Sequence, residues 1–503
     1  MAVGAATGST SSTHSSDEGY VFASMPKGGN PDISVTSVQG GRKYDLGTLV
    51  GTKIPSAGMW LPAGDYTISA WNGQDFGPYP SFHVEAGRLT DLGALVSVDV
   101  GGHKFVVLPL RLEQEASAIA PILANLRPSL TSGQLVPWNP RGIPQPLKYP
   151  TRMVDLGVIA NLITRYGQRL NTPPLREQLL KVPDAASFFA VIKESSPPLP
   201  QAGVADDQGN LYYGADFGQV RRRSPDGQWK AFDTGVLAKV TVIVRHGAAL
   251  VAGYDDGSIR QSNDGGLSWH QVTSLDCANS VVDLSWSGTR WLATSVDMSL
   301  DANTFVHAGK FCFYASSGDD MTGLTKIKEM QSSVPIMTVP PHAVVSAGNY
   351  WAAVPPDLMR LDLKSMTWSR AVLPGPIEGF DVSANGGVIS AFHAQGMFSK
   401  LYVSRDMAMT WEKAKSPHYV VRDVVFNDAG QGVAVRSQVG MFLLKLELYK
   451  SDSFGKSWTI RQKLPEECLY LIDDPRRMPQ SCVTRGGSII SIIGAPYVEY
   501  ARD

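Results

Sequence analysis

The sequence predicts a mainly β protein in three parts: an N-terminal β-sandwich, a helical and proline-rich connector, and a C-terminal ring of four-stranded sheets. Three observations favour this fold class. Glycine (49) and proline (33) are plentiful in the 503 residues, whereas charged residues make up only 18%, a composition of turns and strands. Apolar and polar residues alternate along the first hundred residues. A tryptophan-containing segment recurs in the second half, and such repetition indicates stacked structural units.

Composition and charge exclude several classes of function. Lys plus Arg (45) nearly balance Asp plus Glu (46), so the chain has no overall basic field for nucleic acid or an anionic membrane. No stretch reaches the roughly 18 uninterrupted apolar residues of a transmembrane helix. Because the chain has no phosphate-binding glycine loop, no GxSxG, no HExxH and no CxxC or HxxxH spacing, we expect neither a cofactor nor a metal.

Residues 1–18 are rich in Ser, Thr and Gly and read as a flexible tether. They contain neither a basic segment nor an apolar one, so either the protein is not exported or its signal is absent from this chain. We favour an exported protein, periplasmic or extracellular, with an upstream lipid anchor as one option. An ordinary cytosolic N-terminus is the alternative.

Residues 19–112 read as a small β-sandwich, because the segments 66–71 and 104–108 alternate with period two between Ala-Gly, Asn-Gly and Gly-Gly turns. The segments WLPAGDYTISAW and FHVEAGRLTDLGAL resemble PEGA-like and carboxypeptidase-regulatory-like sandwiches of envelope proteins. Residues 113–186 change to helical spacing, as at Leu156, Ile159 and Ile163, around a proline-rich stretch. This connector is predicted to pack as a strap across neighbouring domains.

The repeat beyond residue 201 is marked by a tryptophan that follows a short polar turn. It occurs at Trp229, Trp269, Trp368, Trp411 and Trp458. The interval between Trp269 and Trp368 is about twice the others and contains a degenerate copy around Leu324, so the repeat has six units. Four short strands per repeat of about 45 residues predict the blades of a β-propeller over 187–503.

The best copy of the repeat places Ser262, Asp264, Gly266 and Trp269 in the order S-x-D-x-G-x-[ST]-W. A second copy has Ser404, Asp406 and Trp411, with Ala408 at the glycine position. The pattern resembles the Asp-box (BNR) signature of sialidase-like β-propellers. The resemblance implies a structural turn between the outer two strands of a blade, with an aspartate that accepts backbone N–H groups and an indole that packs under the neighbouring strand.

The number of blades depends on how the ring closes. Since the C-terminus shows three strands without a fourth, the segment Ser187–Ile192 is expected to supply the missing outer strand. This arrangement predicts seven blades, one of them shared by both ends of the propeller. Six blades with an appended tail are the alternative.

The sialidase resemblance raises a glycoside hydrolase hypothesis, which implies an arginine triad, a Tyr/Glu pair and an aspartate acid. The expected arginine-isoleucine-proline signature is absent, and Arg221, Arg222 and Arg223 crowd one strand, where alternate side chains diverge. We therefore expect no catalytic residue here, while a hydrolytic or lectin-like propeller stays as the alternative to a binding protein.

The segments VVDLSW, GFDVSA and VRDVVF place Asp283, Asp381 and Asp423 at one repeat position, near the start of the innermost strand. Together with Arg422, they are candidates for a polar ring around the central opening, where propellers bind ligands. The alternative is that each carboxylate caps the entry into its own strand.

Two connections on the same face are long or aromatic and are candidates for contact with a partner protein. They span 296–310 and 392–398. The candidate contact residues are Phe305, His307, Phe392, His393, Met397 and Phe398. The alternative is that the phenylalanines fold back as local core and that the histidines are ordinary loop residues.

Four cysteines permit three disulfide pairings. The pairing that is local in sequence joins Cys277 to Cys312 and Cys468 to Cys482, and free buried thiols are the alternative. Taken together, the sequence predicts a non-catalytic interaction scaffold or assembly factor of the envelope or secreted space that binds a protein through its propeller. A carbohydrate-active propeller, either hydrolase or lectin, is the alternative, with a glycan as its ligand.

Overall fold

The computed structural model describes residues 15–25, 33–49, 56–71, 74–75, 79–101, 104–111, 135–140, 147–148, 182–196, 198–275, 280–300, 307–332, 343–371, 373–375, 377, 379–395, 398–417, 420–439, 444–464, 468–474, 477–484, 489–491 and 499–500. The chain divides into two compact units, Met1–Ile192 and Lys193–Asp503. Most of the predicted connector, including Leu156, Ile159 and Ile163, lies outside the described residues.

The N-terminal unit is an 11-stranded sheet that curls around a main core, with a smaller cluster of Tyr20, Phe22 and Leu89 beside it. Its strands are β1 Glu18–Ser24, β2 Ile33–Ser37, β3 Lys43–Thr48, β4 Ser56–Pro62, β5 Gly64–Trp71, β6 Gln74–Asp75, β7 Ser81–Val84, β8 Leu89–Gly101, β9 Lys104–Leu110, β10 Leu135–Pro137 and β11 Leu147–Lys148. The strand order is β11-β9-β8-β1-β4-β3-β2-β5-β6, with β10 on β8 and β7 on β5. Because β3 pairs with both β2 and β4, it joins the two halves of a sandwich-like sheet.

The period-two pattern explains the core of this unit. In β5, Tyr66 and Ile68 point inward, and Phe82 of β7 packs on the same side. The segment after the sandwich strands also belongs to this sheet, since β10 pairs with β8 and Trp138 lies in the core. The Trp138 indole donates a hydrogen bond to the Ser81 carbonyl (2.9 Å).

The propeller unit contains seven successive four-stranded antiparallel sheets among its described residues. Blade 1 contains β12 Pro198–Ala205, β13 Leu211–Ala215, β14 Gln219–Arg223 and β15 Trp229–Asp233. Blade 2 contains β16 Val240–His246, β17 Ala249–Tyr254, β18 Ser258–Ser262 and β19 His270–Ser274. Blade 3 contains β20 Ser280–Trp286, β21 Trp291–Leu300, β22 His307–Ala315 and β23 Thr325–Gln331, with a 3₁₀ helix at Met321–Gly323. Blade 4 contains β24 Ala343–Ser346, β25 Asn349–Val354, β26 Asp357–Asp362 and β27 Thr367–Ala371.

The last three sheets complete the series. Blade 5 contains β28 Gly379–Val382, β29 Ile389–Gln395, β30 Phe398–Ser404 and β31 Glu412–Ala414. Blade 6 contains β32 Val420–Phe426, β33 Gly432–Val439, β34 Leu444–Ser451 and β35 Thr459–Lys463. The seventh sheet contains β36 Cys468–Asp474, β37 Arg477–Thr484, β38 Ile489–Ser491 and β39 Glu499–Tyr500.

The ring closes through its innermost strands, each of which lies against the innermost strand of the next sheet, with β36 against β12. Side chains become more exposed from the second strand of a blade to the outermost one. The second strand of blade 4, β25, is buried throughout, whereas the outermost strand of blade 2, β19, is mostly exposed. The prediction of a mainly β fold with a C-terminal β-propeller is confirmed. Six blades are full-sized, as in the six-bladed alternative, and a seventh sheet with outer strands of three and two residues completes the ring.

The prediction that Ser187–Ile192 forms an outer strand is wrong. These residues lie in helix α1, Ala185–Ser195. Asp184 caps this helix, because its carboxylate accepts hydrogen bonds from the Ser187 backbone N–H and hydroxyl (2.8 Å each). All four described strands of the seventh sheet come from the C-terminal segment, and within the described residues no sheet is shared by the two ends of the propeller.

Candidate functional site

The turns that carry the repeat signature, named here the Ser/Asp turns, are Ser262–Trp269 in blade 2, Ser404–Trp411 in blade 5 and Ser451–Trp458 in blade 6. In the first, Asp264 accepts hydrogen bonds from the Ser262 hydroxyl (2.8 Å) and the Ser268 N–H (2.9 Å). Asp406 accepts the same two bonds, from Ser404 and Thr410. Each carboxylate also accepts a side-chain hydroxyl, from Ser268 or Thr410, and this bond contributes most to lowering the pKa of Asp264 and of Asp406 to about 2.

The backbone of each Ser/Asp turn requires two successive residues with positive φ. These are Gly265 and Gly266 in blade 2, Met407 and Ala408 in blade 5, and Phe454 and Gly455 in blade 6. Glycine adopts this conformation without strain. In blade 6, Ser453 stands where the aspartate is expected, and its hydroxyl oxygen accepts the Ser457 N–H (3.1 Å). The hydrogen bonds of these side chains hold the turns.

The aspartates at the common repeat position each contact the next blade. Asp283 of β20 is 7% exposed and accepts the Tyr350 hydroxyl of blade 4 (2.7 Å). Asp381 of β28 lies close enough to the backbone N–H of Phe426 in blade 6 for that group to lower its pKa. Asp423 of β32 accepts the N–H of Leu471 in the seventh sheet (3.0 Å). Asp423 also accepts the backbone N–H of Val424 in its own strand (2.9 Å), so it contacts the next sheet and caps its own strand.

Burial dominates the electrostatics of these aspartates. It raises the pKa of Asp283 to about 7, against the hydrogen bonds from Tyr350 and Ser285. Burial, with the nearby charge of Asp423 as a second cause, raises the pKa of Asp381 to about 7. Burial raises the pKa of Asp423 to about 6. The charge of Asp423 thus acts on Asp381, while Asp283 faces Tyr350. The side chain of Arg422 lies outside the described residues.

The turns between the first and second strands also connect neighbouring blades. Asp428, between β32 and β33, accepts hydrogen bonds from the N–H groups of Asn385 (3.2 Å) and Gly387 (3.0 Å), in the corresponding turn of blade 5. It also accepts the Asn385 side-chain amide (2.9 Å) and the Ser383 hydroxyl. These donors keep the pKa of Asp428 below its ordinary value despite burial.

The candidate contact residues fall into three groups. Phe392 is only 6% exposed and packs in the core of blades 5 and 6, so the predicted contact role is wrong for this side chain. His307, His393 and Phe398 belong to strands β22, β29 and β30, and their side chains lie outside the described residues. Phe305 and Met397 also lie outside the described residues. The long connection 296–310 is largely a hairpin, because β21 and β22 pair as far as Leu300 and His307.

One predicted disulfide is present. Cys468 and Cys482 are bonded, with their Cα atoms 5.7 Å apart, and they join β36 to β37 in the seventh sheet. Cys312 is also disulfide-bonded. Its predicted partner, Cys277, lies outside the described residues.

Arg221, Arg222 and Arg223 do not converge on one point. Arg221 is buried and donates to the carbonyl oxygens of Lys193 and Glu194, which are among the last carbonyls of α1. The guanidinium of Arg222 lies 5.6 Å from the centre of the Phe232 ring. This divergence is what alternation along a strand requires.

A cleft of about 510 Å³ lies between blades 5 and 6, and we name it the lysine cleft. Its lining includes Lys400, Lys413, Lys415, Tyr449, Ser457 and Trp458. The three lysines are exposed, and none makes an ion pair with a residue that the structure describes. Such an arrangement can bind an anionic group.

Sequence reasoning missed the lysine cleft because its parts come from different strands. Lys400 lies in β30, Lys413 in β31 and Trp458 in the turn before β35. The only local signal is the alternation Lys413-Ala414-Lys415, and lysines on an outer strand ordinarily indicate protection of a sheet edge.

A second cleft, of about 390 Å³, lies between blades 2 and 3. His246 enters it from blade 2, with its ring 4.6 Å from that of Trp286 and 5.1 Å from that of Trp291. The His246 Nε2 lies 2.7 Å from Asp319 Oδ1. The described residues include no group of three or more His, Cys, Asp or Glu side chains placed to hold a metal ion. No helix within the described ranges is long and apolar enough to cross a membrane.

Comparison with known proteins finds several solved structures of low sequence identity. No family model matches the chain, and no curated protein matches it. An ancestral GH74 enzyme is 15% identical, with a TM-score of 0.40 over 59% of this chain and 44% of that one, so this chain spans less than half of its length. YCF48 from Cyanidioschyzon merolae is 12% identical, with a TM-score of 0.40 over 61% of this chain and 94% of that one. The WD40 β-propeller domain of Doa1 is 12% identical, with a TM-score of 0.33 over 46% of this chain and 74% of that one.

Proposed function

We propose that this protein is a non-catalytic scaffold or assembly factor whose propeller holds a protein partner at the lysine cleft. The observation that carries the proposal is the cleft itself. It joins three lysines that have no ion-pair partner among the described residues with the half-buried indole of Trp458. Tryptophan and tyrosine are enriched at surfaces that bind other proteins, and the lysines supply a charge that complements an acidic partner.

We also propose that the protein works in the periplasm or outside the cell. The Cys468–Cys482 disulfide supports this location, because disulfides persist in oxidising compartments. An upstream lipid anchor fits the same proposal. We further infer that the Ser/Asp turns are Asp boxes, since their hydrogen bonds have the structural role that the sequence pattern implies.

Site-specific photo-cross-linking tests the proposed function. A photoreactive residue replaces Ser416, which lines the lysine cleft, and a control chain carries it at Leu267, which is 66% exposed on the Ser/Asp turn of blade 2. Irradiation in cells of the source organism should join one partner protein to the cleft position and not to the control position. A protein joined equally at both positions, or at neither, would contradict the proposal.

A glycosidase assay tests the carbohydrate-active alternative. The full chain is incubated with a panel of fluorogenic glycosides that includes a sialoside. We expect no turnover above that of the heat-denatured protein. Turnover that stays with the chain through purification would contradict the scaffold proposal and support a glycoside hydrolase.

A further inference from the structure

We propose that the occupant of the lysine cleft is an extended, acidic peptide segment. This inference rests on the proposed function and specifies the chemistry of the partner. Its support comes from the charge of the cleft, from the position of the strand that forms one wall, and from the groups that hold the opposite wall in place.

The charge of the cleft is uncompensated in the described structure. Lys400, Lys413 and Lys415 are exposed and have no ion pair with a described carboxylate, whereas Lys310, Lys326 and Lys450 each pair with one. Like charges gathered in one cleft repel each other, and an anionic ligand removes that repulsion. Carboxylates of a bound segment supply this charge.

One wall of the cleft is the outer strand of blade 5. Strand β31, Glu412–Ala414, is the last strand of its four-stranded sheet and has no neighbouring strand on its outer side in the sheet, whereas the backbone of Lys415 is already bonded to blade 6. Edge strands accept extended peptides through backbone hydrogen bonds, while alternate side chains set specificity. Lys413 lies in this strand and Lys415 directly follows its last residue, so the two lysines are two residues apart, the spacing at which an extended chain presents alternate side chains.

The opposite wall comes from blade 6 and is held in a fixed position. The Trp458 indole donates to the Lys415 carbonyl (2.6 Å), and the Lys415 N–H donates to the Gly455 carbonyl (2.9 Å). The Tyr449 hydroxyl is held by Glu447 (2.6 Å). Because the indole N–H is already bonded, the ring offers the ligand an apolar surface, which suits a segment with apolar residues between its acidic ones.

Anisotropy titration of the full chain tests the proposal. The probe is a fluorescein-labelled octapeptide of alternating glutamate and leucine, and its control has glutamine in place of glutamate. The double variant Lys413→Gln, Lys415→Gln should bind the acidic probe roughly fivefold to tenfold more weakly than the natural chain. The matched control is Lys328→Gln, Lys364→Gln, which removes two exposed lysines of blades 3 and 4 and should leave the affinity unchanged.

Each outcome decides the proposal. Equal binding of the two peptides, equal loss in both double variants, or no binding by the natural chain would overturn it. Tighter binding of a sulfated hexasaccharide than of the acidic peptide would overturn it in favour of an anionic glycan. A cross-linked partner at Ser416 combined with no peptide binding would refute the acidic segment and leave the proposed function standing.

Discussion

Stability of the propeller should fall as the pH rises from 5 to 7, through the buried aspartates that connect the blades. Asp283 has a pKa of about 7 in the folded chain, against an ordinary value of 3.8. At a pH between these two values, Asp283 is mostly ionised in the unfolded chain and mostly protonated in the folded chain. Raising the pH in this window therefore favours unfolding.

The magnitude follows from the linkage between pKa and stability. One pKa unit corresponds to 1.36 kcal/mol, so Asp283 alone should remove about 2.5 kcal/mol of unfolding free energy between pH 5 and pH 7. Asp381, with a pKa of about 7, and Asp423, with a pKa of about 6, act in the same direction. Asp264 and Asp406 are already ionised throughout this window, since their pKa is about 2.

The perturbation that isolates this effect is Asp283→Asn. The amide oxygen can still accept the Tyr350 hydroxyl, but the side chain no longer titrates. We expect the stability of this variant, relative to the natural chain, to rise by about 2.5 kcal/mol from pH 5 to pH 7. The measurement is urea unfolding followed by tryptophan fluorescence at each pH. Because the other titrating groups are the same in both proteins, their contributions cancel in the difference between the two unfolding free energies.

The control variant is Asp264→Asn, which removes a carboxylate that stays ionised throughout the window. Its stability relative to the natural chain should not change between pH 5 and pH 7. The reasoning would be refuted if Asp283→Asn kept the pH dependence of the natural chain, or if the control lost as much of it as Asp283→Asn.

Three further predictions concern the contacts that hold the blades. Asp428→Ala should destabilise the propeller by about 2 kcal/mol, because it leaves N–H donors of blade 5 without their acceptor. An unchanged midpoint of urea unfolding would show that this contact does not stabilise the propeller. Gly266→Ala should lower the free energy of unfolding by about 1–2 kcal/mol, through the strain of positive φ alone. Gly455→Ala should lower it further, because the new Cβ would also lie 2.9 Å from the Ala414 Cβ. Equal shifts of the melting temperature in the two variants would contradict this prediction. Replacing Cys468 and Cys482 together by alanine should cost about 3 kcal/mol, measured by urea unfolding without reductant, and an unchanged midpoint would count against a stabilising disulfide.

Much of the propeller can be predicted from the sequence because each blade repeats the same local signals. The turn of Ser262, Asp264 and Gly266 forms its hydrogen bonds within eight residues, so its pattern is visible in the chain. The closure of the ring is not visible in the same way. The apolar run Ser187–Ile192 suits both helix and strand, and the Asp184 cap decides for the helix.

The candidate site was harder to predict because its contacts cross between blades. Alignment places Asp283 and Asp423 at a common position, yet their partners lie 67 and 48 residues further along the chain, at Tyr350 and Leu471. The lysine cleft likewise joins the outer strand of one blade to the turn of the next. Its function depends on proximity that no local pattern of residues encodes.

Hydrogen–deuterium exchange of the full chain with and without the glutamate–leucine octapeptide tests the central claim most directly. The account predicts slower exchange at the two walls of the lysine cleft, in residues 412–417 and 455–459, and unchanged exchange at the cleft around His246. Protection at another surface with none at these walls would contradict the assignment of the lysine cleft as the binding site.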